Sequence, residues 1–409
     1  MTRPGSRALQ LTLASLLVWA AWEAIHPFRH PWGDLSRGNY SDHFSHLNAA
    51  RLFPRVGLDL WRRSEKAMFR PVTPDELAAL PADAQLGAVQ ATETLKPRDT
   101  ILLVPGWPDG KPLISSWVHN PRLYPPGDLL LVAPVALLYH FTSLSLSGAC
   151  RLLLLLFLAA AHLALLVLFA TWLPAPPATP ALRALRAVAL AWVYLEVIHW
   201  TLEGFYDAAA LAPLLLCARM LQQRRGLPAL AAYCAAVFLH FRALFFAPWA
   251  VEALVLALRQ GELRTLRPRG LAGLLLSGAL GLATLFVFSL LWPTLQRLPI
   301  GNPINPWGPA FLWWALALVG VLFAAVAGLL LRARATRELL TLGWLALMIL
   351  QLREAYPWHT VLAVLPWLGS PLPGAGPGED RLVLGARLLF VAGVLPVFGF
   401  EPLAVWKLW

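Results

Sequence analysis

Residues 128–146 read DLLLVAPVALLYHFTSLSL, an apolar run long enough to cross a bilayer. How this run sits decides the topology. If it crosses, Arg183, Arg186, Arg224 and Arg225 land outside. If it lies along the membrane surface, every short basic loop falls on one side: Arg3 and Arg7, Arg183 and Arg186, Arg224 and Arg225, the group from Arg259 to Arg269, and Arg332 to Arg337. Short basic loops set orientation in membranes, so the surface arrangement is the better reading. Residues 26–146, this run included, then form one large loop outside the cytoplasm.

Composition supports a membrane chain. Of the 409 residues, 58% are hydrophobic and 13% charged, against about 45–50% and about 25% in ordinary soluble domains. Mean hydropathy is +0.61. Arg3 and Arg7 precede an apolar run from Leu9, but Trp19, Trp22 and Glu23 follow where a small-residue cleavage site would stand, so this segment is read as a retained first span. The net charge of +11 is explained by arginines in short loops, and no nucleic-acid partner is expected. Cys150, Cys217 and Cys234 lie in or beside apolar segments without metal-ligand spacing.

The expected fold is all-α: a polytopic transmembrane helical bundle of about eleven spans, one domain over 1–409, with amphipathic juxtamembrane helices in the first loop. After the surface segment the spans fall at 147–173, 185–202, 207–222, 227–241, 243–258, 271–292, 310–331, 339–353, 359–370 and 382–398. Several are shorter than the about 20 residues of a full crossing, which implies kinked or partly inserted helices. Five loops then share the outer side: the first loop, Glu203 to Asp207, the tip His240-Phe241-Arg242, Pro293 to Pro309, and Leu352 to His359. Ionisable groups this close to hydrocarbon usually line a cavity or substrate path.

Within the first loop, GNYSDHFSHLNAARLFPRVGLDLWRR (38–63) places Asp42, His43 and His46 in about one helical turn. Ala49, Leu52 and Phe53 continue that side as an apolar stripe. Asp42 stands as a candidate general base, with Asp34 as the alternative, and the competing role for Asp42 is a helix N-cap. Asp42, His43 and His46 also form a candidate divalent-metal set. No second carboxylate stands nearby, and no cofactor is expected.

These elements, taken together and in order, resemble the GT-C superfamily of polyprenyl-phosphate-sugar-dependent glycosyltransferases, of mannosyltransferase-like type. Asp42, His46, Ala49, Gly57 and Trp61 stand in a D-x3-H-x2-A-x7-G-x3-W pattern after the first span. Tyr124-Pro125-Pro126 closes the first loop, Gly148 and Arg151 open the next span, and Asp207 opens a helix after a polar turn. Arg242 stands in FLHFRALFFAPW, where the family commonly has Lys. Tyr356-Pro357-Trp358-His359 precedes Leu365-Pro366, with His359 where Tyr is common.

The resemblance implies transfer of one sugar from a polyprenyl-phosphate carrier to a lipid, glycan or protein acceptor, with inversion, at the extracytoplasmic face. Asp42 would deprotonate the acceptor, Arg242 would grip the leaving phosphate with help from Arg122, and His43, His46, Tyr124, Asp207 and His359 would contact substrate. Snorkelling for Arg242 and a helix N-cap for Asp207 are the competing roles. Abundant Leu, Ala, Arg and Pro with few Lys suggest a GC-rich bacterial genome, hence an inner (cytoplasmic) membrane. A lipid-linked glycan flippase or a non-catalytic subunit binding lipid-linked sugar is the alternative.

Overall fold

A computed structural model describes residues 41–68, 73, 75, 78–79, 122, 124–172, 180–202, 204–263, 268–297, 334–350, 360–369 and 377–394. The first span, Asp34, the 310–331 span and His359 lie outside these residues. Among the described residues all regular structure is helical. In chain order the helices are α1 (Ser41–Val56), α2 (Asp59–Arg62), α3 (Glu65–Met68), α4 (Pro126–Phe141), α5 (Leu146–Trp172), α6 (Pro180–Leu202), α7 (Ala208–Gln222) and α8 (Gly226–Leu239). A 3-10 helix (Phe241–Phe246) leads into α9 (Ala247–Arg259). Then come α10 (Pro268–Arg297), α11 (Arg334–Leu350), α12 (Thr360–Ala363), α13 (Leu365–Gly369) and α14 (Pro377–Val394).

Among the described residues, three helical stretches are long and apolar enough to cross a membrane: Gly148–Leu168, Phe241–Arg259 and Gly270–Leu291. Leu271, Leu275, Leu276, Leu282, Leu285 and Phe286 of α10 are all exposed, a surface suited to lipid rather than water. The 359–370 segment, expected as one span, is instead two short helices with a turn at Val364. Pro366 accounts for the break. It lacks an N–H to donate and fits the first turn of a helix better than the interior.

The chain forms two compact units. One comprises Met1–His162, Ile198–Tyr206 and Ala283–Arg297; the other comprises Leu163–Val197, Asp207–Leu282 and Leu298–Trp409.

In the first unit, α1 packs along α4. The buried face of α1 is wider and more polar than the stripe expected from sequence: His43, Ser45, His46, Asn48 and Arg51 join Leu47, Ala49 and Leu52. Phe53 is not part of it, being 41% exposed. The helix ends at Gly57, whose φ of +52° lies in the left-handed region and whose N–H reaches the carbonyl of Phe53 at 2.8 Å. The turn brings α2 round, and α2 holds the far end of the first loop. Leu60 O accepts from the Arg122 N–H at 2.8 Å, and Trp61 Nε1 donates to Tyr124 O at 2.8 Å. Residues some sixty apart are thereby stapled together just where α4 begins.

Helix α4 opens at Pro126 after an extended Pro125, a favoured start because that N–H would have no intrahelical partner. Its 16 residues span about 24 Å, short of a hydrocarbon core of about 30 Å. Asp128, Leu129, Val132, Val135, Ala136 and Tyr139 are buried, while Leu130, Leu137, Leu138 and Phe141 are exposed. The helix is apolar on both faces, and its one acid points inward.

In the second unit, α7, α8 and α9 run as successive hairpin neighbours. Arg224 takes a left-handed φ of 56° before Gly226, and a side chain at 226 would meet the backbone of Ala253 and Ala257. The Glu262 carboxylate accepts from the Gly226 and Leu227 N–H groups, at 2.8 Å each, and so caps α8. Around the 3-10 helix, Phe246 stacks on Trp367, Trp344 Nε1 donates to Phe245 O at 3.1 Å, and Arg387 pairs with Glu338.

Candidate functional site

The stapling of α2 to residues 122–124 carries three polar side chains into one buried cluster. His46 comes from the second turn of α1, Arg122 from the end of the first loop, and Asp128 from the first turn of α4. His46 Nδ1 lies 2.7 Å from Asp128 Oδ2, and Arg122 Nη2 forms an ion pair with the same oxygen. Arg122 Nη1 donates to Ser45 O at 3.1 Å. Arg122 Nη2 and His46 Nδ1 are themselves 3.1 Å apart. Both cannot be serving each other well. The carboxylate is the stronger and nearer acceptor, so Nδ1 carries the proton and the two nitrogens converge as donors on Oδ2.

Both His46 and Asp128 are fully buried at 0% exposure. The start of α4 suits an acid, since the helix dipole favours negative charge there. Asp128 Oδ1 is buried and has no hydrogen-bond partner among the described residues. Arg122 supplies a positive charge that offsets the carboxylate.

Aromatic rings enclose it. The His46 ring centroid lies 4.7 Å from Tyr124, 4.4 Å from Tyr206 and 5.9 Å from Phe157. Tyr124 and Tyr206 meet edge to face at 5.2 Å, and the Arg122 guanidinium sits over Tyr124 at 5.4 Å. Phe157 and Tyr206 are buried, whereas Tyr124 is half-buried.

His43 lies one turn earlier, edge-on to Phe157 at 5.3 Å. Burial pushes its imidazole down to about 3, against a smaller upward pull from the Gly204 backbone. It is therefore a neutral group at physiological pH. Asp42 takes its place in the first turn of α1, and its side chain is outside what the structure describes. Among the described residues no group of three metal-ligating side chains occurs, and the candidate set of Asp42, His43 and His46 includes the Asp42 side chain, which lies outside them. His46 Nδ1 is instead committed to Asp128.

The second unit contains another cluster of the same three residue types. Asp207 precedes α7 but makes no side-chain cap bond, so the N-cap role does not form. Its Oδ1 instead lies 3.2 Å from Arg242 Nη1 and 3.4 Å from His240 Nε2. The Arg242 backbone N–H donates to His240 Nδ1 at 3.2 Å, which leaves Nε2 as the protonated, donating nitrogen. The Arg242 side chain remains 25% exposed. Asp207 and Arg242, singled out separately from sequence, are thus paired across 35 residues, and Arg242 is not a lone snorkelling cation.

The candidate residues divide accordingly. His43, His46, Arg122 and Tyr124 are brought together in the first unit, and Asp207 with Arg242 in the second. Asp34 and His359 lie outside the described residues. Sequence reasoning missed Asp128, Tyr206 and Phe157 as members of the first cluster. Asp128 did carry a signal: an acid heading an otherwise apolar run is expensive in or beside hydrocarbon and usually has a partner.

Comparison with known protein families, curated proteins and solved structures gives no match for this chain.

Proposed function

We propose that the protein is an integral membrane glycosyltransferase of GT-C type, moving one sugar from a polyprenyl-phosphate-linked donor to a lipid, glycan or protein acceptor, with inversion. The observation that carries this reading is the buried Asp128–His46–Arg122 cluster, walled by Tyr124, Phe157 and Tyr206, in an all-helical and strongly apolar chain. Carboxylate and imidazole suit hydroxyl groups, and aromatic faces suit the C–H face of a sugar. The elements that build the cluster are those on which the family resemblance rests: the turn after the first span and the Tyr124-Pro125-Pro126 element.

In this reading the chain has about eleven spans in the inner membrane of a bacterium, with α4 lying on the extracytoplasmic surface because it is too short to cross. The single basic side required by the short loops follows from that placement. Asp42, one turn before His46, takes the acceptor's hydroxyl proton as the oxygen attacks the anomeric carbon. The bond from that carbon to the phosphate oxygen breaks, and polyprenyl phosphate leaves with the electron pair. Arg242, its charge partly offset by Asp207, is the cation that the family resemblance assigns to the leaving phosphate. His359 adds a donor to the same phosphate.

The test is transfer of radiolabelled sugar from a panel of polyprenyl-phosphate sugars by membranes carrying the wild-type chain. Transfer from one donor class establishes the activity and names the sugar. Failure with every donor overturns the reading in favour of a lipid-linked glycan flippase or a non-catalytic sugar-binding subunit.

A further inference from the structure

The carboxylate of Asp128 is used on one side only. Two donors, His46 Nδ1 at 2.7 Å and Arg122 Nη2, converge on Oδ2. Arg122 is held in place by its second bond, to Ser45 O at 3.1 Å, so the carboxylate cannot easily turn to share the load. Oδ1 is left buried, at a residue with no exposed surface, without a hydrogen-bond partner among the described residues. A buried acceptor in this condition is costly, and a purely structural staple between α1 and α4 gives no reason to keep it.

We propose that Asp128 Oδ1 accepts a hydrogen bond from a substrate sugar hydroxyl, an inference that rests on the glycosyltransferase reading above. The charge of the cluster selects the ligand. Arg122 and Asp128 offset each other, so a phosphate arriving here would meet a carboxylate oxygen, whereas a neutral hydroxyl meets an acceptor. The walls select it too. The half-buried ring of Tyr124, edge to face with Tyr206 at 5.2 Å, offers apolar surface against which a sugar's C–H face packs while its hydroxyls point at the carboxylate. Asp128 therefore acts in substrate recognition, and the proton is still taken by Asp42.

The experiment is a substrate-and-protein double substitution cycle. Transfer is measured for wild type and Asp128→Asn with the parent donor and acceptor and with their monodeoxy analogues. In Asp128→Asn the amide oxygen faces the two donors, so an NH2 group replaces the acceptor at the Oδ1 position. The expected result is that one deoxy position lowers wild-type kcat/KM by about 10–100-fold, the usual size for a hydrogen bond to a charged group. The same change should cost Asp128→Asn less than about fivefold. A penalty found in the donor series assigns the hydroxyl to the transferred sugar, and one in the acceptor series assigns it to the acceptor. If Asp128→Asn transfers too slowly to measure, the same ratios are read from analogue Kd values by titration in detergent. Equal deoxy penalties in both proteins, or none in wild type, overturn the inference while leaving the activity standing. Absence of any transfer by wild type overturns the functional reading itself.

Discussion

The two units each bring together one aspartate, one histidine and one arginine, and they use them differently. In the first, Asp128, His46 and Arg122 are all buried, and both donors press on a single carboxylate oxygen. In the second, Asp207 and His240 are buried but Arg242 keeps a quarter of its side chain in solvent, and its contacts to Asp207 and His240 are longer, at 3.2 and 3.4 Å. Tight convergence without solvent fixes geometry and leaves an unmet acceptor. Looser pairing at a surface leaves a cation that can exchange partners. The first arrangement suits selection of a neutral polar ligand, and the second suits transient contact with an anion.

The comparison is broken most directly through the arginines. Arg122→Ala strands a fully buried carboxylate and is expected to cost about 3–5 kcal/mol of stability. Arg242→Ala leaves Asp207 its contact with His240 and costs about 1–3 kcal/mol. Chemical or thermal unfolding of the purified protein in detergent measures both, and equal losses would erase the distinction drawn here. Next in size is Asp42→Asn, which removes the proposed base one turn from the first cluster. It should lower transfer by about 10²–10⁴-fold with unchanged membrane insertion. Retained transfer would move the base elsewhere, to Asp34 or Asp207.

A third test concerns protons. Folding holds His43 neutral, with its pKa lowered from 6.5 to about 3. Between those values the unfolded chain binds the extra proton and the folded chain does not, so this contribution to stability is present above pH 6.5 and is lost as pH falls toward 3. The unfolding temperature of wild type should fall between pH 7.5 and pH 5, and His43→Asn should flatten that slope. No change in slope would show that His43 is not the group responsible. The smallest expected effect is at the turn that builds the staple. Gly57→Ala forces a side chain into the left-handed region, φ +52°, at about 1–2 kcal/mol. Nothing lies within 4 Å of the added Cβ, so a larger loss would mean that the turn controls more than local strain.

Much of the helix order was legible beforehand. The run expected at 147–173 is Leu146–Trp172, that at 207–222 is Ala208–Gln222, and that at 227–241 is Gly226–Leu239. Apolar runs bounded by Arg, Pro and Gly define such helices locally. The expected stripe on α1 failed at Phe53 because its partner α4 buries polar groups as readily as apolar ones, which α1's own hydrophobic pattern cannot show. His43, His46, Arg122 and Tyr124 were individually visible as unusual residues near a membrane. Their common partner was not, because Asp128 heads a segment whose apolar pattern drew attention to crossing or lying flat rather than to its first turn.

By itself, then, the sequence determined that this is a helical chain suited to a membrane, with chemistry-bearing residues gathered in a few polar stretches. Those are properties of composition and of local spacing. Only the tertiary structure decided which of the stretches meet. Asp128 finds His46 and Arg122 because Trp61 and Leu60 hold residues 122–124 against α2, and Asp207 finds Arg242 because a 3-10 turn places the arginine 35 residues later beside it. Pairings over such separations depend on loop closure and packing, and these leave no period in the sequence to read.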